Sequence, residues 1–237
     1  MRKETFTVGD YIHVYNRGNR KQPIVRQASD RWHFLQALYY FNNEISIANP
    51  FNGLRNKLDA RFNHELIWPR EWPLKKPLVK IIAFSLMENH FHLILNEIRE
   101  DGIALFMQKL GTGIVKYFNA KYREAGRLFQ GSYKARVVDR DEYLTYLSVY
   151  IQVKNPFELY PKGIEYAVRN FDQAFEWAVK YPYCSLADYV GRRNSPIISR
   201  DILAEMFEAP EKYKEFARDC ILSMNFKERL ESLVIDE

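Results

Sequence analysis

The chain has 237 residues, 47% apolar and 27% charged, enough to bury a real core in one domain plus an appendage. Its two cysteines, Cys184 and Cys220, stand far apart, which excludes a disulfide framework and a zinc knuckle. A net charge of +5 with 16 Tyr and 16 Phe suits a nucleic-acid partner, because cations meet phosphates and aromatic faces take unstacked bases.

The charge is uneven. Residues 108–136 hold Lys109, Lys116, Lys121, Arg123, Arg127, Lys134 and Arg136 against the single acid Glu124, while residues 197–237 are acidic. A phosphate backbone is therefore expected over the middle of the chain. No apolar run suits a membrane span and the charged start Met1-Arg2-Lys3-Glu4 is no signal peptide, so a cytoplasmic protein without membrane contact is expected.

In chain order, Thr5 to Gly18 is β-rich around Tyr11, Ile12, His13, Val14 and Tyr15, and Asn16-Arg17-Gly18-Asn19 closes it as a turn. Ser29-Asp30 offers an N-cap to a helix carrying Phe34, Leu35, Leu38, Tyr39 and Phe41. Residues 46–77, with Asn49-Pro50, Trp68-Pro69, Trp72-Pro73 and Lys76-Pro77, read as a surface insertion with a short helix around 53–66. Residues 78–87 are nearly continuously apolar, as in a central strand, and Glu88-Asn89 turns the chain into a second strand.

A helix over about 101–123 buries Ile103, Phe106, Met107, Leu110, Ile114, Tyr117 and Phe118. Gly111 and Gly113 each cost it about 1 kcal/mol relative to Ala, so they mark close backbone approach or irregularity. A strand follows from Tyr133 to Val138. Asp139 and Glu142 have capping-box spacing for a helix over 140–154, which Pro156 is expected to stop. The order β-α-β-β-α-β-α is that of a ferredoxin-like α+β sandwich with one antiparallel sheet. Residues 1–156 form the expected domain, and 157–237 a helical C-terminal appendage.

His90 and His92 lie on the expected second strand, whose side chains repeat every two residues. They leave one face with Cα atoms roughly 7 Å apart, close enough to share a divalent ion. The 140–154 helix presents Tyr143, Tyr146, Leu147, Tyr150 and Lys154 on one face. Tyr143 and Tyr146 read as packing on the sheet, whereas Tyr150 sits near the helix end beside Gln152, Lys154 and Asn155. A phenol with pKa about 10 attacks poorly at neutral pH unless a metal or base assists. A cation held by two histidines is under-coordinated, so Asn155, Gln152 or a water has to help. His13, His33 and His64 have no partner pattern and read as structural.

These segments resemble the HUH single-strand endonucleases, most closely the REP-associated tyrosine transposases. The likeness is carried in order by Tyr15-Asn16-Arg17-Gly18-Asn19-Arg20-Lys21-Gln22-Pro23-Ile24, by Leu86-Met87-Glu88-Asn89-His90-Phe91-His92-Leu93 and by Phe106-Met107-Gln108-Lys109-Leu110. Tyr117-Phe118-Asn119, Gly126-Arg127-Leu128-Phe129-Gln130-Gly131, Tyr150-Ile151-Gln152 with Asn155-Pro156, and Tyr181-Pro182-Tyr183-Cys184-Ser185 complete it.

The resemblance implies that His90 and His92 bind Mg²⁺ or Mn²⁺ and that Tyr150 attacks a phosphate of single-stranded, hairpin-forming DNA. A 5′-phosphotyrosine and a free 3′-OH follow, with rejoining by the reverse reaction. The family's third metal-binding amide lies four residues after the tyrosine, where this chain has Lys154. Asn155 is then the third ligand through a distorted helix end, or Gln152 or water substitutes, and Lys154 is free to contact the scissile phosphate. Arg17, Arg20, Lys116, Arg127 and Lys134 are candidate DNA contacts, in a monomer or homodimer. A non-catalytic single-strand-binding module and a domesticated repeat-processing nuclease are the alternatives.

Overall fold

The computed structural model describes residues 6–48, 50–51, 66–207 and 209–223. Strands β1 (Tyr11–Arg17), β2 (Val79–Leu86), β3 (His90–Glu97) and β4 (Lys134–Val138) form one antiparallel sheet in the order β2-β3-β1-β4. Helices α1 (Ala28–Tyr40) and α2 (Gly102–Tyr122) make the crossovers. This is the expected ferredoxin-like α+β sandwich.

Alternation along the strands sets the two faces. Ile12, Val14, Phe91, Leu93 and Leu95 meet Phe34 and Leu38 of α1 and Phe106, Leu110 and Phe118 of α2. Each such buried side chain contributes roughly 1.5–3 kcal/mol. Helix α2 stays regular through its two glycines. A Cβ on Gly113 would lie 2.2 Å from Cε2 of Phe41, so the missing side chain admits that ring. A Cβ on Gly111 would meet nothing within 4 Å.

The other face is apolar at Ile82, Ala83 and Ile94, which pack under Leu144 and Leu147 of α3 (Asp141–Val149) and under Ile151. Tyr143 joins this layer, whereas Tyr146 packs on Phe216 rather than on the sheet. After α3 come a π-helical turn (Tyr150–Lys154), α4 (Asn155–Glu158), α5 (Ile164–Arg169), α6 (Phe171–Val179), α7 (Leu186–Tyr189), α8 (Asp201–Met206) and α9 (Pro210–Leu222). Residues 181–199 lie along the outer edge of β2. Leu86 N–H donates to Tyr183 O at 2.9 Å and Ser185 N–H to Phe84 O at 3.0 Å, so the appendage covers an edge that would otherwise invite pairing.

Several local expectations differ from the structure. Strand β1 starts at Tyr11 because Thr7 N–H bonds the Asp10 carboxylate at 2.8 Å and turns the chain. The N-cap of α1 is Gln27, and Asp30 closes its capping box from the third helical position. The N-cap of α3 is Arg140 with no side-chain bond, so Asp139 and Glu142 make no capping box. Trp68 and Trp72 pack against Tyr40 with ring centroids 6.3 and 5.8 Å away, tying the end of the insertion to α1. The short helix expected around 53–66, and His64 with it, fall outside the described residues. Pro156 does not stop the helix, which runs on through it to Glu158.

Candidate active site

The histidine strand is anchored at its tip. Met87 N–H donates to His90 O at 2.9 Å, closing the turn at Glu88-Asn89. Glu88 O accepts Ile24 N–H at 2.9 Å, Asn89 O accepts Gly18 N–H at 2.7 Å, and Asn89 Nδ2 donates to Lys21 O at 3.2 Å. Register pairs His90 with Arg17, His92 with Tyr15, and Tyr15 with Lys134 on its other side. One sheet face thus carries His90, His92, His13, Tyr15, Arg17 and Lys134 at its polar end, while Ile94 and Val138 further along are core.

The Nδ1 atoms of both strand histidines are engaged. His90 Nδ1 lies 2.6 Å from Asn89 Oδ1, an acceptor only, so it carries the proton and leaves Nε2 with its lone pair. His92 Nδ1 lies 3.0 Å from Nε2 of His13. The two strand rings are perpendicular with centroids 5.1 Å apart. Burial, then the charges of Arg17 and Lys154, push His90 down to about 4. Burial, then His13, His90 and the same two cations, hold His92 well below the usual imidazole range. Both are neutral at neutral pH, the state in which imidazole binds a metal.

Tyr150 reaches this face from the end of α3. Its ring stands perpendicular to that of His92, with centroids 5.3 Å apart. From Tyr150 to Lys154 the helix widens into a π turn, and Asn155 N–H donates to Tyr150 O. In an α-helix the Pro156 ring would strike the carbonyl of Gln152. The wider turn shifts the ladder by one residue, and the Cys184 thiol donates to Gln152 O at 3.5 Å. The helix therefore continues through Pro156 as α4. A single inserted residue also separates Tyr150 from Asn155 by one wide turn, the helix-end distortion that the sequence left open.

Lys154 stays beside Tyr150. Its Nζ is 4.9 Å from the Tyr150 ring centroid and 2.5 Å from Glu158. Asn155 is fully buried, and neither Oδ1 nor Nδ2 has a hydrogen-bond partner. Gln152 is committed elsewhere: its Nε2 donates to Tyr213 Oη at 3.0 Å and its Oε1 accepts Ser185 Oγ at 3.0 Å.

Tyr150, His90 and His92 line one cleft of about 470 Å³ with Tyr15, Arg17, Lys21 and Lys134. Of the cations singled out in the sequence, Arg17 and Lys134 are here. Lys116 and Arg127 line a second cleft of about 1010 Å³, which shares Asn16, Gly131 and Ser132 with the first. Arg20 lines neither, and sits in a short 3-10 turn with φ +52°. Sequence reasoning missed Lys21, although it follows Arg17 and Arg20, and saw no partner for His13, whose Nε2 lies 3.0 Å from Nδ1 of His92.

Among the described residues no three His, Cys, Asp or Glu side chains form a metal site. A cation at the histidine pair therefore needs an amide or water as further donor. The Nε2 of His90, the Nε2 of His92 in its Nδ1–H form and the buried Asn155 amide, which has no partner, are donors whose chemistry fits Mg²⁺ or Mn²⁺ with waters completing the shell.

Residues 72–154 match the family model described as Transposase IS200 like. The match carries both histidines, Tyr150 and Lys154 and ends one residue before Asn155, and it bears out the resemblance read from the sequence. A solved structure of a REP-associated tyrosine transposase bound to a REP hairpin is similar at TM-score 0.47 and 12% identity, over 84% of this chain and 89% of that one. A search of curated proteins finds no match. No helix among the described residues is long and apolar enough to cross a membrane.

Proposed function

We propose that this chain is a divalent-metal-dependent DNA endonuclease and strand transferase that cuts single-stranded, hairpin-associated sites through Tyr150. Processing of DNA in the manner of a transposase is the coarse function the family match supports. The observation that carries the finer reading is the meeting of Tyr150 with His90 and His92 in one cation-lined cleft.

Tyr150 Oη attacks phosphorus, a Tyr O–P bond forms and the P–O3′ bond breaks. The phenolic proton passes to solvent, and the departing 3′ oxygen takes one up. One phosphodiester replaces another, so the step is close to balanced in energy, and a 3′-OH held in place can reverse it. Arg17 and Lys134 hold the backbone, while Lys154 supplies positive charge where the phosphorane develops its negative charge. Mg²⁺ or Mn²⁺ held by His90, His92 and Asn155 would polarise the phosphate oxygens.

The test is a covalent-adduct assay with Mn²⁺ and a panel of hairpin oligonucleotides. Unaltered protein should shift to a DNA-linked band in denaturing gels, and Tyr150→Phe should not. An adduct in Tyr150→Phe would remove Tyr150 as nucleophile. Tight, metal-independent binding without any adduct would favour a non-catalytic binding module.

A further inference from the structure

We propose that His13 is a positioning residue of the metal centre: it accepts the Nδ1–H of His92 and so keeps the Nε2 lone pair of His92 turned to the cleft. This inference rests on the metal reading above. His13 and His92 are diagonal neighbours across the β1–β3 ladder, because His92 faces Tyr15 and His13 faces Ile94. Such pairs come within reach when the side chains are long or aromatic. Here Nε2 of His13 and Nδ1 of His92 are 3.0 Å apart. The ring planes differ by 18° and the centroids are 5.2 Å apart, so the bond runs nearly within both planes.

An N···N pair holds one proton, and its placement decides whether His92 can act as a ligand. With the proton on His92 Nδ1, Nε2 keeps its lone pair. With the proton on His13 Nε2, His92 becomes the Nε2–H tautomer and cannot coordinate. Asn89 has already forced the first arrangement on His90. His13 completes a matched pair, so that each strand histidine donates Nδ1–H to a protein acceptor. Tyr15 stacks on both members, with centroids 5.0 Å from His13 and 5.6 Å from His92, and holds the rings in plane. Outer partners of this kind orient the ligand and raise its basicity, and losing one typically costs about 10–100-fold in metal affinity.

Two readouts test this without catalysis. In the metal-free full chain, long-range ¹H–¹⁵N spectra should show His92 as the Nδ1–H tautomer. In Mn²⁺ titrations followed by calorimetry or by the electron-spin signal of free Mn²⁺, His13→Phe should weaken binding by about 10–100-fold. His13→Gln, which restores an acceptor, should recover part of it, and thermal melts confirm that each variant is folded. A His92 found as Nε2–H overturns the inference. So does unchanged Mn²⁺ affinity in folded His13→Phe when His90→Ala loses it, and in that case the metal reading survives. Failure of the unaltered protein to bind Mn²⁺ overturns both.

Discussion

The backbone N–H of Asn155 donates to the carbonyl of Tyr150, five residues back instead of four. That bond reconciles two features of the sequence that look incompatible, a lysine where the resemblance implies an amide and a proline just beyond it. π turns are single-residue insertions that cluster at functional sites. Here the wider turn sets Lys154 beside Tyr150, retains Asn155 and removes the clash that Pro156 would bring.

The turn is braced by Gln152, whose amide links Ser185 to Tyr213 in a fully buried setting. Gln152→Leu keeps the volume and takes one bond from each hydroxyl, Ser185 keeping Phe84 and Tyr213 keeping Ser148, so the two lost bonds together should cost about 1–3 kcal/mol in urea denaturation. Because that amide is spent on bracing, Mn²⁺ affinity should change little. A folded Gln152→Leu that no longer binds Mn²⁺ would make Gln152 a ligand after all.

How much of this was legible depends on how far apart the interacting residues lie. The strand pair and His90/His92 are local period-two signals, and the βαββαβ order follows from apolar patterning alone. His13 was not legible, because its partner is 79 residues away and is set by strand register, which no local pattern prints. Pro156 misled for a related reason: whether a proline breaks a helix depends on what becomes of the freed carbonyl, and Cys184 arrives from a distant segment. Lys116 and Arg127 stand out in the sequence as charge, yet the fold takes them to a neighbouring cleft.

His33 makes a pH prediction independent of DNA. It stacks on Tyr117 at 3.7 Å, and Nε2 is buried without a partner. Burial lowers its pKa to about 4, Asp30 opposing and Lys121 adding to the shift. The folded value lies below the unfolded one near 6.5, so the unfolded chain takes up the proton first. This contribution is complete above about pH 6.5 and is lost as pH falls towards 4. His33→Phe should flatten that part of the stability curve by roughly 2 kcal/mol, read from urea midpoints between pH 7 and 4.5. An identical pH profile in the variant would show that His33 is not responsible. Asp30 acts lower. Burial raises its pKa, but bonds from Lys121, Tyr122 and the Arg26 and Gln27 amides outweigh that, so its share is lost only below its unfolded pKa of about 3.9.

The placement of cations predicts different salt dependences. Each phosphate contact on a single strand contributes about 0.7 to the slope of log K against log salt. Arg17→Ala and Lys134→Ala should each lower that slope and also slow cleavage, because both line the Tyr150 cleft. Lys116→Ala and Arg127→Ala should lower it with the cleavage rate of bound DNA preserved, since they act through the second cleft. Fluorescence-anisotropy titrations at several salt concentrations, paired with single-turnover cleavage, separate the groups. Equal loss of cleavage in all four would mean that the clefts are not distinct in use.

Lys154 yields the most discriminating prediction, because its two roles pull in opposite directions. Its charge reaches His90 and His92, where it opposes a second positive charge, so it should also oppose a bound cation. Against the phosphate the same charge helps, and most when negative charge grows in the transition state. Lys154→Gln should therefore tighten Mn²⁺ binding several-fold while slowing adduct formation by about tenfold or more. Glu158 holds Nζ at 2.5 Å, so Glu158→Gln should loosen Lys154 with a smaller effect on both. Cleavage at the unaltered rate in Lys154→Gln would reduce the lysine to a helix-surface ion pair. Mn²⁺ binding and cleavage falling together would instead make it a scaffold for Asn155, and the two measurements on one variant distinguish these outcomes.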